Sequence, residues 1–280
     1  MRRGIVRVTS PGAAGHAGRR RTRATARIAA LACALLGVGV VAGAHASAAE
    51  SAREQVFESA NAAFADGRFD DARGALAELA RNDGASPAVL YNLGNAAFRA
   101  GKPGEAILAY ERALWLAPRD QDVRANLRQV RKAAGLPEPD DGPWLRLARA
   151  ATANGWAWLA SAGLYVACLS LLLRRLASGD ARGRPRRGVL SVSAGVGLAL
   201  LLLAGAACAT RLGERDRGVV LDGDPKLRVA PYASATVSSE LAPGEIVRIE
   251  RGHEGFTLVR TVTGRSGWMT GDAVGRIAPD

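Results

Sequence analysis

The chain has 280 residues, 48% of them hydrophobic, and a formal net charge of +12. That charge is not spread as a nucleic-acid-binding face would be: residues 1–48 carry eight arginines and no acid, 142–210 carry eight arginines and one aspartate, 49–141 hold twelve basic and fifteen acidic residues, and 211–280 hold ten of each. The positive excess lies beside apolar runs, as membrane-flanking charge does, and three cysteines inside apolar runs (Cys33, Cys168, Cys208) with three scattered histidines (His16, His45, His253) leave almost no material for a disulfide framework, a metal centre or histidine catalysis.

Residues 1–27 are arginine-rich and irregular. An apolar run from Ile28 to Ala44 follows, then Ala44-His45-Ala46 and Ala46-Ser47-Ala48. A basic segment, an apolar segment and small residues at the exit describe a secretory signal over residues 1–48, cleaved after Ala46 or Ala48, or an uncleaved N-terminal anchor of similar length. Either puts residue 50 onward outside the cytoplasm. Arg19-Arg20-Arg21 matches a twin-arginine signal only weakly, and Cys33 lacks the preceding apolar stretch of a lipoprotein cysteine.

From Leu90 to Pro118 the spacing predicts two packed helices. Small residues stand where the helices touch (Gly94 and Ala97, then Ala106 and Ala113), and larger apolar residues surround them at helical spacing: Leu90, Leu93 and Phe98, then Ile107, Tyr110 and Leu114. Gly101 ends the first helix, Pro103 and Gly104 mark the turn, and Pro118 closes the second. A shift of 34 residues lays Asn61-Ala62-Ala63-Phe64 over Asn95-Ala96-Ala97-Phe98, Gly67 over Gly101, Ala72 over Ala106 and Leu76 over Tyr110. The same shift forward lays Asn126 and Leu127 over Asn92 and Leu93, in a helix that stops at Gly135 and Pro137. Leu93, Gly94, Ala106, Tyr110, Ala113 and Pro118 fall at the signature positions of the tetratricopeptide repeat (TPR), which this stretch resembles, with Leu90 where the signature has Trp. The expected domain covers 49–136: repeats at 53–86 and 87–120, then a capping helix at 121–134, an α-helical solenoid of five helices.

Leu136 to Pro143 is an acidic, proline-rich linker. Two uncharged spans follow, 150–173 and 188–210, each longer than the roughly 20 residues that cross a bilayer. Trp144, Trp156 and Trp158 gather at the start of the first, as an interfacial aromatic belt does. The loop 174–187 holds six arginines and one aspartate, which makes it cytoplasmic by the positive-inside rule. The expectation is a transmembrane hairpin with both flanking domains on the outer side. The spans contain no Asp, Glu, Lys, Arg or His, which argues against transport. Ala194, Gly195, Gly197 and Gly205 offer close helix contact, within the hairpin or with a partner.

The tail, 218–280, turns to short β-branched runs (Val219–Leu221, Glu245–Ile249, Phe256–Val262) separated by Gly, Pro and Asp turns, the pattern of a small antiparallel barrel. Leu227–Tyr232, Leu241-Ala242-Pro243-Gly244-Glu245 with Val247, and Gly267-Trp268-Met269 resemble the strands and turns of the bacterial SH3-like family, with Gly255-Phe256 where that family has Gly-Trp.

Among candidate sites, Asn61, Asn92, Asn95 and Asn126 recur at matching repeat positions. Asparagine is a poor mid-helix residue, so its recurrence suggests a polar groove offering amide donors and acceptors to an extended peptide, the alternative being that the asparagines only cap and solvate their helices. In TPR domains that clamp a C-terminal carboxylate, Asn61 and Asn92 match two clamp positions, but the basic positions are filled by Phe57, Asp122 and Asn126. Peptide or protein binding is therefore expected and carboxylate recognition is not. Arg128, Arg131 and Lys132 fall opposite Val123, Leu127 and Val130 on the capping helix, on a side expected to be solvated or to approach lipid headgroups. Asp70-Asp71 and Asp140-Asp141 stand at a helix start and in a linker with no base or nucleophile beside them, and no G-x-S-x-G, Walker A or HExxH motif is present. No catalytic residue, metal site or cofactor is expected.

The whole order, signal segment, short repeat domain, arginine-linked hairpin and SH3-like tail, resembles the BatE-type proteins of the bacterial aerotolerance (Bat) operon. The run YNLGNAAFRAGKPGEAILAYERAL is very similar to that family's repeat, and the resemblance extends over roughly residues 50–280. It implies a non-enzymatic inner-membrane scaffold with periplasmic TPR and SH3-like domains, working with von Willebrand-type Bat membrane proteins and a MoxR-type ATPase in envelope integrity or oxidative-stress tolerance. The alternative is an envelope sensor whose SH3-like tail binds peptidoglycan or cell-wall peptides.

Overall fold

A computed structural model describes residues 50–82, 85–176 and 184–278. The expected signal segment 1–48, with Cys33 and both cleavage positions, lies outside the described residues, as do 177–183 of the arginine-rich loop. The chain separates into two compact units, Met1–Gln55 and Val56–Asp280. In the first, residues 50–55 are helical; everything below concerns the second.

Helix α1 covers residues 56–65 of that unit, followed by α2 (Phe69–Asn82), α3 (Pro87–Arg99), α4 (Pro103–Leu116) and α5 (Gln121–Ala133). Each boundary has a local cause. Ser86 caps α3 by accepting from the Val89 N–H at 3.2 Å, with Pro87 at the first helical position. Asp120 caps α5 by accepting from the Asp122 and Val123 N–H groups. Asp70 and Asp71 sit in the first turn of α2, where negative charge suits the helix dipole.

Three helices end in the same way. Gly67, Gly101 and Gly135, each 34 residues from the next, have φ of 79°, 74° and 69°. Each N–H bonds back to the carbonyl three residues before, and the following N–H bonds five residues back, as Lys102 does to Ala97 at 2.9 Å. This left-handed cap is one that glycine adopts without strain. The core repeats at the same period. Ala72 and Ala106 are both fully buried, as are Leu76 and Tyr110. Gly94 makes room for Tyr110: a methyl at its Cα would stand 2.5 Å from the Tyr110 ring.

After the linker come a short helix α6 (Pro143–Ala148) and two long ones, α7 (Ala153–Leu176) and α8 (Arg184–Gly213). Both long helices are long and apolar enough to cross a membrane. α7 starts later than residue 150 because Ala150 closes the end of α6, its N–H bonded to the Leu147 carbonyl. It runs on through Arg174 and Arg175, whose charge suits a helix C-terminus. The two helices pack through small residues: a methyl at Gly163 would meet the Gly197 carbonyl oxygen at 2.7 Å, and one at Gly197 would meet the Ala167 nitrogen at 2.7 Å. Close contact thus falls at Gly197 inside the hairpin, while Gly195 and Gly205 face open space. Ser170 and Ser193 share a hydrogen bond of 2.8 Å across the pair. Outward, Trp158, Leu164, Tyr165, Leu172, Val189 and Leu202 are exposed.

The tail is one antiparallel sheet of seven strands: β1 (Arg217–Val220), β2 (Lys226–Arg228), β3 (Val237–Glu240), β4 (Ile246–His253), β5 (Phe256–Thr261), β6 (Ser266–Thr270) and β7 (Val274–Arg276). Their order is β3-β2-β6-β5-β4-β1-β7, with a bulge in β4 between Ile249 and Arg251. Val220, Leu227, Val247, Val259 and Met269 form its own core.

The sheet also shares a core with the repeats. Val219, Ile246 and Ile277 pack in one cluster with Ile107, Leu108, Leu90 and Tyr110. Side chains alternate along a strand, so Val219 serves the helical side and Val220 the sheet side, and both are fully buried. The approach is close because glycines receive α4: a methyl at Gly275 would collide with Leu108, and one at Gly244 with Ile107. Each large apolar side chain buried there contributes about 1.5–3 kcal/mol. Asp222 adds a polar tie. Lys102, at the N-cap of α4, supplies no capping side chain, and the Asp222 carboxylate accepts from the Glu105 N–H at 3.0 Å in its place.

At the base of the hairpin, Glu214 is buried among Arg149, Arg211 (3.1 Å) and Arg217 (3.3 Å), and Arg149 also pairs with Asp141. The Arg211 guanidinium lies 4.1 Å from the ring centroid of Trp115 on α4. Arg131 departs from its expected place on an exposed face. Its side chain is buried and its Nη1 lies 3.1 Å from Glu111 of α4, because that partner draws it under the neighbouring helix, whereas Arg128 and Lys132 remain exposed.

Candidate partner-binding groove

The four asparagines come together on one face, on α1, α3 and α5. The Asn92 amide donates to Asn61 Oδ1 at 2.9 Å. Asn95 Oδ1 accepts from the Asn126 amide at 3.0 Å and from the Tyr110 hydroxyl at 2.7 Å. The Asn126 amide also reaches the Tyr91 hydroxyl at 3.1 Å. The amides thus bond first to one another as a ladder across successive helices. Recurrence at the repeat period is explained by this: residues 31 apart in the sequence, Asn61 with Asn92 and Asn95 with Asn126, meet one helix pair over.

All four residues are half-buried. The Asn61–Asn92 bond uses one polar atom of each and leaves Asn61 Nδ2 and Asn92 Oδ1 outside it; the Asn95 amide nitrogen and Asn126 Oδ1 are likewise outside their bonds. Burial pushes the Tyr110 phenol above its ordinary range, so it stays a donor to Asn95 at any physiological pH.

Beside the ladder is a depression of about 210 Å³ lined by Phe64, Phe98, Arg99, Asn95, Asn126 and Gln129, among others. Arg99 is exposed at its edge, its guanidinium 4.3 Å from the Phe69 ring centroid and 5.9 Å from that of Phe64, a cation held on aromatic faces. The three positions where a carboxylate clamp carries cations do not supply one: Phe57 packs into the repeat core, Asp122 is in the first turn of α5, and Asn126 is in the ladder. The groove's cation is Arg99 instead. Sequence reasoning passed over it and over Tyr91, because neither recurs one repeat earlier: residue 65 is alanine and residue 57 phenylalanine.

Among the described residues no three His, Cys, Asp or Glu side chains come together as a metal site would require. Cys168 and Cys208 are unpaired.

A tetratricopeptide repeat family model matches residues 57–122. The chain carries tetratricopeptide repeats. Such repeats serve as scaffolds for protein–protein contact, and the matched stretch runs from α1 into the first turn of α5. No curated protein and no solved structure matches the chain.

Proposed function

We propose that this protein is a non-enzymatic, membrane-anchored scaffold that holds a protein partner in its TPR groove. The observation that carries the reading is the ladder of Asn61, Asn92, Asn95 and Asn126 beside an aromatic depression with an exposed arginine on its rim. Half-buried amides with unused donors and acceptors suit the backbone of an extended peptide, and Arg99 adds preference for an acidic residue or a chain terminus. In this reading the repeats are 53–86 and 87–120, capped by 121–134. α7 and α8 cross the inner membrane, the arginine-rich loop 174–187 is cytoplasmic, and the groove faces the periplasm. The exposed apolar surface of both helices supports it, since soluble proteins rarely leave so continuous an apolar face uncovered.

Within that reading the chain is of the BatE type, with a bacterial SH3-like domain at 218–280, and its partners are von Willebrand-type Bat membrane proteins working with a MoxR-type ATPase. What supports this is the order of the segments and the repeat sequence itself. A second reading, cell-wall binding by the sheet, is favoured by one feature: Trp268 is flanked by Arg251 at 5.4 Å and His253 at 6.2 Å, a small aromatic and cationic platform.

Crosslinking in native membranes followed by affinity capture tests the choice, comparing wild type with Asn92→Arg/Arg99→Glu. Arg99 is exposed and Asn92 is half-buried on the groove face, so circular dichroism first checks that the variant keeps its helical content. A defined set of membrane proteins lost with the variant supports the scaffold. An unchanged set, with the chain retained on peptidoglycan, would move the function to the sheet.

A further inference from the structure

A cavity of about 460 Å³ lies where α5, the acidic linker, α6, the end of α8 and the start of β1 converge. Seven arginines line it against four carboxylates. Two of them, Arg131 and Arg211, are only 5% and 4% exposed, and the Nε of each is buried without a hydrogen-bond partner. Their Nη1 atoms are committed to Glu111 and Glu214, so the acids present leave donors unused. Burial holds the Arg131 guanidinium below its usual value, against the pull of Glu111 and helped by the like charge of Arg217. Arg146 is exposed on the cavity wall and has no ion-pair partner among the described residues.

Desolvated guanidinium groups with spare donors around an open volume call for an anion with several acceptor oxygens, and their planar fork fits phosphate best. We propose that this cavity binds the phosphate of an anionic lipid headgroup. The source follows from position. Arg211 stands in the last turn of α8 and Arg146 on the helix that leads into α7, so the cavity opens at the ends of both apolar helices. Trp144, exposed on the same short helix, donates through its indole N–H to Thr210 Oγ1 of α8 at 3.1 Å, at the level where tryptophan marks a membrane interface. The proposal rests on reading α7 and α8 as membrane spans and is independent of the asparagine groove.

The test uses the full-length chain in neutral detergent, titrated with phosphatidylglycerol, phosphatidylcholine or inorganic phosphate, with bound lipid counted by native mass spectrometry and stability followed by thermal shift. Retention of phosphatidylglycerol but not phosphatidylcholine is expected, with little response to inorganic phosphate. Arg128→Gln/Arg146→Gln, at exposed wall positions, should weaken phosphatidylglycerol by about tenfold. Arg131→Lys, which keeps the charge but removes the Nε donor, should weaken it as well; should Arg131→Lys fail to fold, the exposed pair decides. Equal retention of the two lipids, an unchanged affinity in the Arg128/Arg146 variant, or protection by inorganic phosphate as strong as by the lipid would each overturn the proposal. A chain soluble without detergent would instead overturn the membrane reading, and with it the lipid as the anion's source.

Discussion

The joint between α4 and the sheet is mainly apolar and tight, whereas the joint between α5 and the hairpin base is charged and leaves a cavity. In the first, Ile107 and Leu108 enter space that Gly244 and Gly275 leave free, alongside polar ties from the Glu105 N–H to Asp222 and from Arg112 Nε to the Arg276 carbonyl. In the second, Arg131, Arg149, Arg211 and Arg217 surround too few carboxylates, and like charges hold one another apart. Apolar surface gains by closing every gap, while desolvated charge gains only when each group finds a partner. The apolar joint therefore fixes how the repeats sit on the sheet, and the charged joint leaves volume for something else to fill.

The sharpest way to break that contrast is Leu108→Ala. It removes the side chain that meets Gly275 and leaves a void that the backbone on both sides cannot easily close, at a cost of about 2–5 kcal/mol. Hydrogen exchange read by mass spectrometry should show α4 and β1 with β7 losing protection together. Loss confined to the helices, with the strands unmoved, would mean the shared cluster is contact without cooperativity.

A smaller effect is expected from Asp222→Ala, which takes away the cap that the sheet lends to α4. Loss of a capping side chain costs about 0.5–2 kcal/mol. Asp222→Asn keeps an acceptor and should recover most of it in a denaturant melt. If the alanine variant melts with wild type, the apolar contact alone holds the joint.

The repeats were legible because their signals are local and recur: Gly67, Gly101 and Gly135 mark the turns at one spacing, and Ala72 and Ala106 mark the contacts. The asparagines were legible as a set, but which amide atoms bond inward depends on neighbours a helix pair away. The apolar helices showed through length and absence of charge, and the tail's strands through their β-branched runs. What did not show was everything made between distant segments. Ile107 and Leu108 read as ordinary helix core, yet their partners Ile246 and Ile277 lie far along the chain. Arg131 looked like one of a run of surface cations, because nothing in its own helix announces Glu111. Arg99 has no repeat counterpart, so its seat on Phe69 left no trace in the spacing.

The charged joint is read through its pH dependence, because its buried acid contributes at neutral pH and loses that contribution in acid. Burial on its own would raise the Glu214 carboxyl, but hydrogen bonding to Arg149 and the charges of Arg149 and Arg217 outweigh it and hold it below its usual value. A carboxyl lowered in the folded state contributes stability that is fully present above its unfolded value of about 4.3 and is lost as pH falls through the folded one. Asp222 runs the other way. Its burial raises it against the hydrogen bonds from the Glu105 and Gly104 backbone, so its contribution is present below about 3.9 and is lost as pH rises through the folded value. The two are separated by Glu214→Gln. Wild type should lose melting temperature from pH 5 down to about pH 3 more steeply than Glu214→Gln does, and the gap between the two should narrow as the acid carboxyl takes up its proton. Parallel curves would mean that Arg149, Arg211 and Arg217 are held in place by something other than Glu214, and that the charged joint does not depend on its one buried acid.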